Sequence, residues 1–292
     1  MSLGVVAAIV AALLAGTIPL LTRVLMLDGI GATTILFYRY AFIVILSGFA
    51  LAAGRKNIRV SKKQLVELAI FSIFGYCGAT FLLIQAFNFM PVGMASMLYF
   101  TYPFFVFIIM SVVFKEPPNR LKIYALVIVG AGIVLLMNFD TSLINKGSIL
   151  ALGSGLAYGI YLVGLQKSSL REIDSSVIIF YLGGMSAMLL GIQDLITADS
   201  LLLSGLTIKR ILLTMTLAVI TIVVMQMVTF AIKKIGPTET SLIISFESVV
   251  TLILSIVFLG EQWNGNTVAG AALMLIAVIL ISRTAESNRS FI

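Results

Sequence analysis

The sequence predicts an all-α membrane protein in which ten transmembrane helices form two inverted five-helix repeats. Three observations lead to this fold class. Hydrophobic residues make up 60% of the chain and charged residues only 11%, apolar runs recur along the whole chain, and the second half repeats features of the first. A water-soluble fold is excluded, because so few polar residues cannot cover such a core, whereas a bilayer accepts apolar helix surfaces.

Ten apolar runs are each close to the length of roughly 17–25 residues that crosses a bilayer. They lie at 3–22, 32–53, 66–88, 91–114, 121–138, 147–166, 176–193, 210–231, 238–259 and 267–282. The first run follows neither a basic segment nor a recognisable cleavage site, so we expect it to be retained as a span rather than removed as a signal peptide.

Basic residues are distributed unequally between alternate loops. Of the 19 Lys and Arg residues, fourteen lie on one side, four on the other, and Arg39 lies inside a span. Because cytoplasmic loops carry the excess of basic residues, we expect a multi-pass protein of the cytoplasmic (inner) membrane with both termini in the cytoplasm. The net charge of +7 follows from this bias. The basic residues form no continuous stripe, so no nucleic-acid partner is expected.

The two halves of the chain are related by a constant shift. A shift of 143 residues in the early spans and 145 in the later ones superposes Gly4/Gly147, Gly16/Gly159, Ser96/Ser241, Glu116/Glu261 and Asn119/Asn264. Each copy holds an odd number of helices, so the second copy enters the membrane upside down. We therefore predict repeats at 1–142 and 143–292 in one compact membrane domain, with a binding site at their interface near the membrane midplane.

Two charged residues inside spans are the leading candidates for that site. Glu247 lies near the centre of the ninth span, where a charge costs roughly 2.5–3.5 kcal/mol on insertion and so must face protein or water. It could bind a cationic group or exchange a proton; the alternative is a structural carboxylate paired with Arg39 or with hydroxyls. Arg39 could hold a substrate carboxylate with its planar guanidinium, or close the outer half of the bundle through backbone carbonyls or Glu247.

Further polar and aromatic residues could line a central cavity that accepts amphipathic molecules. They are Tyr38, Tyr76, Gln85, Asn88, Tyr99, Tyr102, Tyr158, Tyr161, Tyr181 and Gln226. Each has a simpler alternative, because tyrosines near span ends anchor helices at the interface and buried Gln residues often join helices.

Other features bear on mechanism. Pro19 and Pro103 lie inside spans and should kink them. The sequence contains no Gly-Lys-Ser/Thr, so coupling to ATP within this chain is not expected. It has no His and a single cysteine, Cys77, so we expect neither a metal site nor redox chemistry, and no cofactor.

Several short motifs resemble the EamA-type transporters of the drug/metabolite transporter superfamily. They are Phe37-Tyr38-Arg39, Tyr102-Pro103-Phe104, Val113-Phe114-Lys115-Glu116 and Phe258-Leu259-Gly260-Glu261. The likeness covers nearly the whole chain. One departure is that the position equivalent to Pro103 is Ser248, preceded by Glu247.

The resemblance implies a secondary transporter that exports small amino-acid-like metabolites or amphipathic drugs by alternating access. If transport is coupled, the position of Glu247 inside a span makes it the candidate for proton exchange. The expected partners are a small-molecule substrate and membrane lipid, and the protein could work as a monomer or a homodimer. Two alternatives remain. One is an uncoupled facilitator of the same fold; the other is an intramembrane enzyme acting on lipid-linked substrates, although the chain lacks a second positioned carboxylate, a His or a metal set.

Overall fold

The computed structural model describes residues 2–90, 92–117, 120–136, 145–197, 207–259 and 265–287, and every regular element in these ranges is helical. The α-helices are α1 (Leu3–Ala15), α2 (Ile18–Leu27), α3 (Ala32–Ala53), α4 (Lys62–Ile70), α5 (Gly78–Ala86), α6 (Val92–Tyr99), α7 (Tyr102–Ile108), α8 (Arg120–Leu136), α9 (Lys146–Lys167), α10 (Ser175–Thr197), α11 (Ile208–Ile235), α12 (Pro237–Ile244), α13 (Glu247–Leu259) and α14 (Gly265–Ser287). Wider π-helical turns over Phe71–Cys77 and Ile109–Val113 extend α4 into α5 and α7 towards its end.

Helical segments lie within each of the ten ranges predicted as spans. In the described part of the chain, seven helices are long and apolar enough to cross a membrane: Leu3–Leu27, Ala32–Ala53, Lys62–Ala86, Lys146–Lys167, Ser175–Gln193, Ile208–Ile235 and Pro237–Phe258. The multi-pass membrane fold is thus confirmed, whereas the total of ten spans stays a prediction.

In the residues that the structure describes, three of the predicted spans are broken near their middle. The first breaks at Gly16-Thr17 and the fourth at Phe100-Thr101, in each case just before the second segment's proline, Pro19 or Pro103. These are the two kinks that the sequence predicts. The ninth span breaks at Ser245-Phe246, the position that a shift of 145 residues makes equivalent to Phe100-Thr101.

The break in the ninth span has a different local cause, because no proline follows it. The hydroxyl of Ser245 donates to Leu242 O at 2.6 Å, and that of Ser248 donates to Ser245 O at 2.8 Å. The backbone N–H of Ser248 also bonds to Ser245 O, three residues back. Side-chain hydroxyls that compete for helix carbonyls bend helices in this way.

Glycine contacts at the interface of the halves are reciprocal. A Cβ atom placed on Gly16 would lie 2.5 Å from Val250 Cβ and 3.1 Å from Glu247 O. The equivalent Gly159 faces Phe105 Cβ at 3.2 Å and Tyr102 O at 3.4 Å. Val250 and Glu247 are the counterparts of Phe105 and Tyr102 under the shift of 145.

Reciprocal contacts also occur near the beginnings of α1 and α9. Gly4 packs against Lys234 and Ile235, while its counterpart Gly147 packs against Phe89 and Met90, which are again equivalent pairs. Each half therefore packs its first helix against the third and fourth helices of the other half. This swapped arrangement supports the two inverted repeats.

Most buried apolar side chains, from both halves, form one continuous core, while Leu25, Ile35 and Leu217 form a small separate cluster. The helix ends form two faces on either side of the core. The Lys56 face carries Ser2, the loop 54–61 and the turn 168–174; the Asp28 face carries the turn 28–31 and the beginning of α11.

Candidate functional site

A cavity of about 80 Å³ lies where the broken helices meet. Its lining comes from both halves: Ala15, Ile18, Pro19, Arg39, Tyr76, Ala79, Thr80, Leu83, Tyr99, Tyr158, Val224 and Glu247. Discontinuous helices that meet at mid-depth are a common way in which membrane transporters build polar sites. The volume is well below the roughly 300–1,000 Å³ of most small-molecule sites, so a metabolite would fit only after the surrounding helices separate.

Arg39 is almost completely buried, with 3% of its surface exposed. Its Nε donates to Thr221 Oγ1 at 2.9 Å, and its Nη2 donates to the Tyr76 hydroxyl at 3.4 Å. Within the described residues these are its two hydrogen bonds, so three of the five N–H groups of the guanidinium are available to a ligand. Burying a permanent charge with neutral partners is costly, which favours an anionic ligand or a nearby carboxylate.

The nearby carboxylate is Glu247, the first residue of α13. It lies ten residues into the Pro237–Phe258 span and interacts electrostatically with Arg39. The carboxylate of Glu247 forms neither a hydrogen bond nor an ion pair within 4 Å in the described ranges. As the first residue of α13, it also lies at the partially positive N-terminal end of that helix.

Tyrosine rings form one wall of the cavity. Tyr158 packs against Tyr76, Tyr99, Tyr102 and Tyr161, with ring centroids 5.0–6.4 Å apart. Edge-to-face and tilted contacts at these distances are favourable. The hydroxyl of Tyr102 is buried without a hydrogen-bond partner in the described structure. The wall therefore contains a hydroxyl that is able to form a further hydrogen bond.

The lining follows the relation between the halves. Tyr76 and Thr221, the two partners of Arg39, are equivalent positions under the shift of 145. Ala79 and Val224 form a second such pair, and Ala15 and Tyr158 form a third under the shift of 143. The cavity thus lies at the interface of the two copies and is lined by equivalent residues of both. Its chemistry is unequal, because the first copy places Tyr102 where the second places Glu247.

The structure brings together some of the residues that the sequence singles out and separates others. Arg39, Tyr76, Tyr99, Tyr158 and Glu247 line the cavity, and Tyr102 and Tyr161 are buried in the wall behind it. The remaining candidates do not line it.

Each of these outlying residues has another environment. Tyr38 packs edge-on against Phe37, and Asn88 donates to Gln85 Oε1 at 3.1 Å near the end of the third span. The hydroxyl of Tyr181 donates to Ile58 O at 3.0 Å on the Lys56 face. Gln226 lines a separate surface groove.

Sequence reasoning missed two polar residues of the site. Thr221 orients Arg39, and Thr80 lines the cavity while donating to Tyr76 O at 2.9 Å. Threonine within an apolar run is too common to attract notice. The signal that could have found Thr221 is the repeat, because the shift of 145 superposes it on Tyr76.

Polar contacts between the halves hold both faces together. On the Lys56 face, Nζ of Lys56 lies 2.7 Å from Asp174 Oδ2, and Lys122 Nζ lies 2.8 Å from Glu239 Oε1. On the Asp28 face, Arg210 Nε donates to Asp28 Oδ2 at 3.2 Å. The small central cavity therefore lies between two closed faces.

The family model of EamA-like transporters matches residues 2–138 and again residues 145–283. The chain belongs to the EamA-like transporter family. The two matches correspond to the two copies inferred from the shifts, and membership makes the chain a membrane transporter of the drug/metabolite transporter type.

Comparison with solved structures gives the same fold. The chain superposes on the crystal structure of another protein with a TM-score of 0.80, covering 98% of this chain and 99% of that one. The two sequences are 15% identical, so the likeness concerns the fold alone. No curated protein matches the sequence significantly.

Proposed function

We propose that this EamA-like transporter is a secondary active exporter of small amino-acid-like metabolites or amphipathic drugs, and that it works by alternating access between its two halves. The observation that carries the proposal is the cavity at their interface, in which buried Arg39 and the carboxylate of Glu247 face one space without forming an ion pair. A molecule with an anionic and a cationic group can satisfy both charges, with its carboxylate on Arg39 and its amino group on Glu247.

The reciprocal packing supports a rocking mechanism. Because each half inserts its first helix into the other, a rotation of one half can open one face while the other closes. The contacts Lys56–Asp174 and Asp28–Arg210 join residues of different halves on opposite faces, so each would break in turn. Substrate binding would change the hydrogen bonds of Arg39, since a bound carboxylate competes with Thr221 and Tyr76 for the guanidinium.

Glu247 is the proposed proton carrier. A carboxyl group in an apolar cavity favours the neutral form when the cavity is closed, and the ionised form when water or a cationic group enters. Alternating access would then release a proton on one side and take it up on the other, coupling export to the proton gradient. The proposed direction, export, is the one that the resemblance to EamA-type transporters implies.

Reconstitution into liposomes tests the proposal. Uptake of a panel of radiolabelled amino acids and of a cationic dye would be measured with an imposed pH gradient. The wild type should concentrate at least one of these compounds, and Glu247→Gln should lose gradient-driven accumulation while retaining exchange of the same compound. The control is Glu116→Gln, which removes a half-exposed carboxylate paired with Lys167 and should behave like the wild type.

Two results would contradict the coupling. Full accumulation by Glu247→Gln would remove the role of this carboxylate. Wild-type flux that equilibrates but never concentrates a compound would favour the uncoupled facilitator instead.

A further inference from the structure

A second cavity, of about 550 Å³, lies apart from the central one on the outer surface between α1 and α11. Its walls are mostly apolar side chains of the two helices, together with the amide of Gln226: Leu3, Val6, Ala7, Val10, Gln226, Met227 and Phe230. At the Lys56 face it ends in polar groups, namely Lys56, Asp174, Ser175 and Ser176. We call this cavity the α1/α11 groove.

Along the helix axis, the α1/α11 groove extends over a distance that corresponds to the outer part of one bilayer leaflet. From Leu3 to Val10 the helix rises about 10 Å at 1.5 Å per residue. Leu3 is 71% exposed, and Val6, Val10 and Phe230 are each more than a third exposed. In a bilayer these side chains meet lipid, so the groove offers an acyl chain a path that begins at a polar rim.

The polar rim carries one positive and one negative group. The ammonium of Lys56 and the carboxylate of Asp174 are 2.7 Å apart, and their side chains remain 46% and 45% exposed. Asp174 Oδ1 accepts from the backbone N–H of Ser176 at 2.8 Å. Both charges are thus held in place at the groove mouth while part of each still faces outward.

Such a rim complements a headgroup that itself carries both charges. A phosphate can accept from the Lys56 ammonium, and a primary ammonium can donate hydrogen bonds to the Asp174 carboxylate. A trimethylated ammonium has no N–H to donate, and a glycerol headgroup has no cation. Nearby, Lys233 Nζ donates to Ile173 O at 2.6 Å, and Lys234 Nζ lies 5.7 Å from the centroid of the Phe230 ring; these basic groups reinforce attraction of the phosphate.

From these contacts we infer that the α1/α11 groove is a specific site for phosphatidylethanolamine, with the phosphoethanolamine headgroup on the Lys56–Asp174 pair and an acyl chain along Val6, Val10 and Met227. The inference is independent of the transported substrate. It has a mechanical consequence, because Lys56 and Asp174 belong to different halves, and a headgroup that bridges them holds the Lys56 face closed.

Native mass spectrometry of delipidated protein tests the site with lipids of identical dioleoyl chains. Wild type should bind phosphatidylethanolamine about tenfold more tightly than phosphatidylcholine or phosphatidylglycerol. Asp174→Asn should bring phosphatidylethanolamine down to the affinity of phosphatidylcholine. Soluble phosphoethanolamine at the same concentrations should leave the protein free, because it lacks the chain.

Groove filling provides the matched control. Val6→Trp places a large ring in the groove and should weaken binding of phosphatidylethanolamine about tenfold. Val127→Trp makes the same change at a position on α8 that is 63% exposed and lies outside the groove, and it should leave binding unchanged. Equal wild-type affinity for the three lipids, equal binding by the two tryptophan variants, or tight binding of soluble phosphoethanolamine would each overturn the assignment.

Discussion

Substituting alanine at two equivalent glycines should have unequal effects. In Gly16→Ala the new Cβ would lie 2.5 Å from Val250 Cβ and 2.6 Å from its Cγ1, about 1 Å closer than the 3.5–4.0 Å at which carbon atoms attract. Val250 Cβ is fixed to the α13 backbone, so α1 and α13 must move apart. Overpacking of this kind costs about 1–3 kcal/mol.

Gly159→Ala meets a milder environment. Its nearest contacts would be 3.2 Å to Phe105 Cβ and 3.4 Å to Tyr102 O, which a shift of a few tenths of an ångström relieves. Gly159 lies inside the uninterrupted α9, where alanine gains about 1 kcal/mol over glycine. Gly16 follows the last residue of α1 and gains less. We therefore expect Gly159→Ala to stay within about 0.5 kcal/mol of the wild type.

Steric trapping in bicelles measures these free energies of unfolding directly. The expected result is a loss of about 1–3 kcal/mol for Gly16→Ala and little change for Gly159→Ala. Since Glu247 lies one helical turn before Val250, Gly16→Ala should also impair transport. An equal loss for the two variants, or a larger one for Gly159→Ala, would refute the reciprocal packing as described.

Three further expectations follow from the site and the faces. Thr221→Val removes the acceptor of Arg39 Nε. Because a hydrogen bond to a charged group is worth about 1.5–3 kcal/mol, this variant should raise the apparent KM for a transported anionic or zwitterionic compound about tenfold or more. Thr221→Ser should restore the wild-type KM, and the surface variant Thr216→Val should resemble the wild type. Arg39→Lys, measured in the same flux assay, should fail to restore the transport that Arg39→Ala loses, because an ammonium cannot reproduce the forked contact; equal rates for Arg39→Lys and the wild type would contradict this. The hydrogen bond from Lys56 holds the pKa of Asp174 below its usual value, so the ion pair should stabilise the protein at neutral pH, by less than about 1 kcal/mol because it is half-exposed. This stabilisation should be lost as the pH falls through the folded-state pKa of Asp174. Melting temperatures measured at several pH values should therefore fall less on acidification for Asp174→Asn than for the wild type.

Much of the fold can be predicted from the sequence because apolar length is its main determinant. Every predicted span contains helix, and the ends of the second span, at 32 and 53, coincide with those of α3. The breaks near Pro19 and Pro103 follow from the missing backbone donor of proline. The break before Glu247 could not be predicted in this way, because serine hydroxyls cause it and serine is also common in unbroken helices.

The site was only partly predictable. Glu247 and Arg39 stand out because a charge in a span needs a reason, and both line the cavity. Tyrosines carry no such signal, since Tyr158 in the wall and Tyr181 on the Lys56 face occupy similar apolar runs. Which helix face a tyrosine presents depends on the crossing of neighbouring helices, which local sequence does not determine. The predicted match of Glu116 with Glu261, and of Asn119 with Asn264, lies partly outside the described residues.

The interrupted first span has no equal in the second half, where α9 runs unbroken through the position of Gly159. A protein made of two copies is often expected to have an outward-open form that is the inward-open form with the roles of its halves exchanged. Here such an exchange would demand a bend in the middle of α9 and a straight rod at Gly16-Thr17. Under the proposed alternating access, the two open forms would therefore differ in shape, and the paths into and out of the central cavity would not mirror each other.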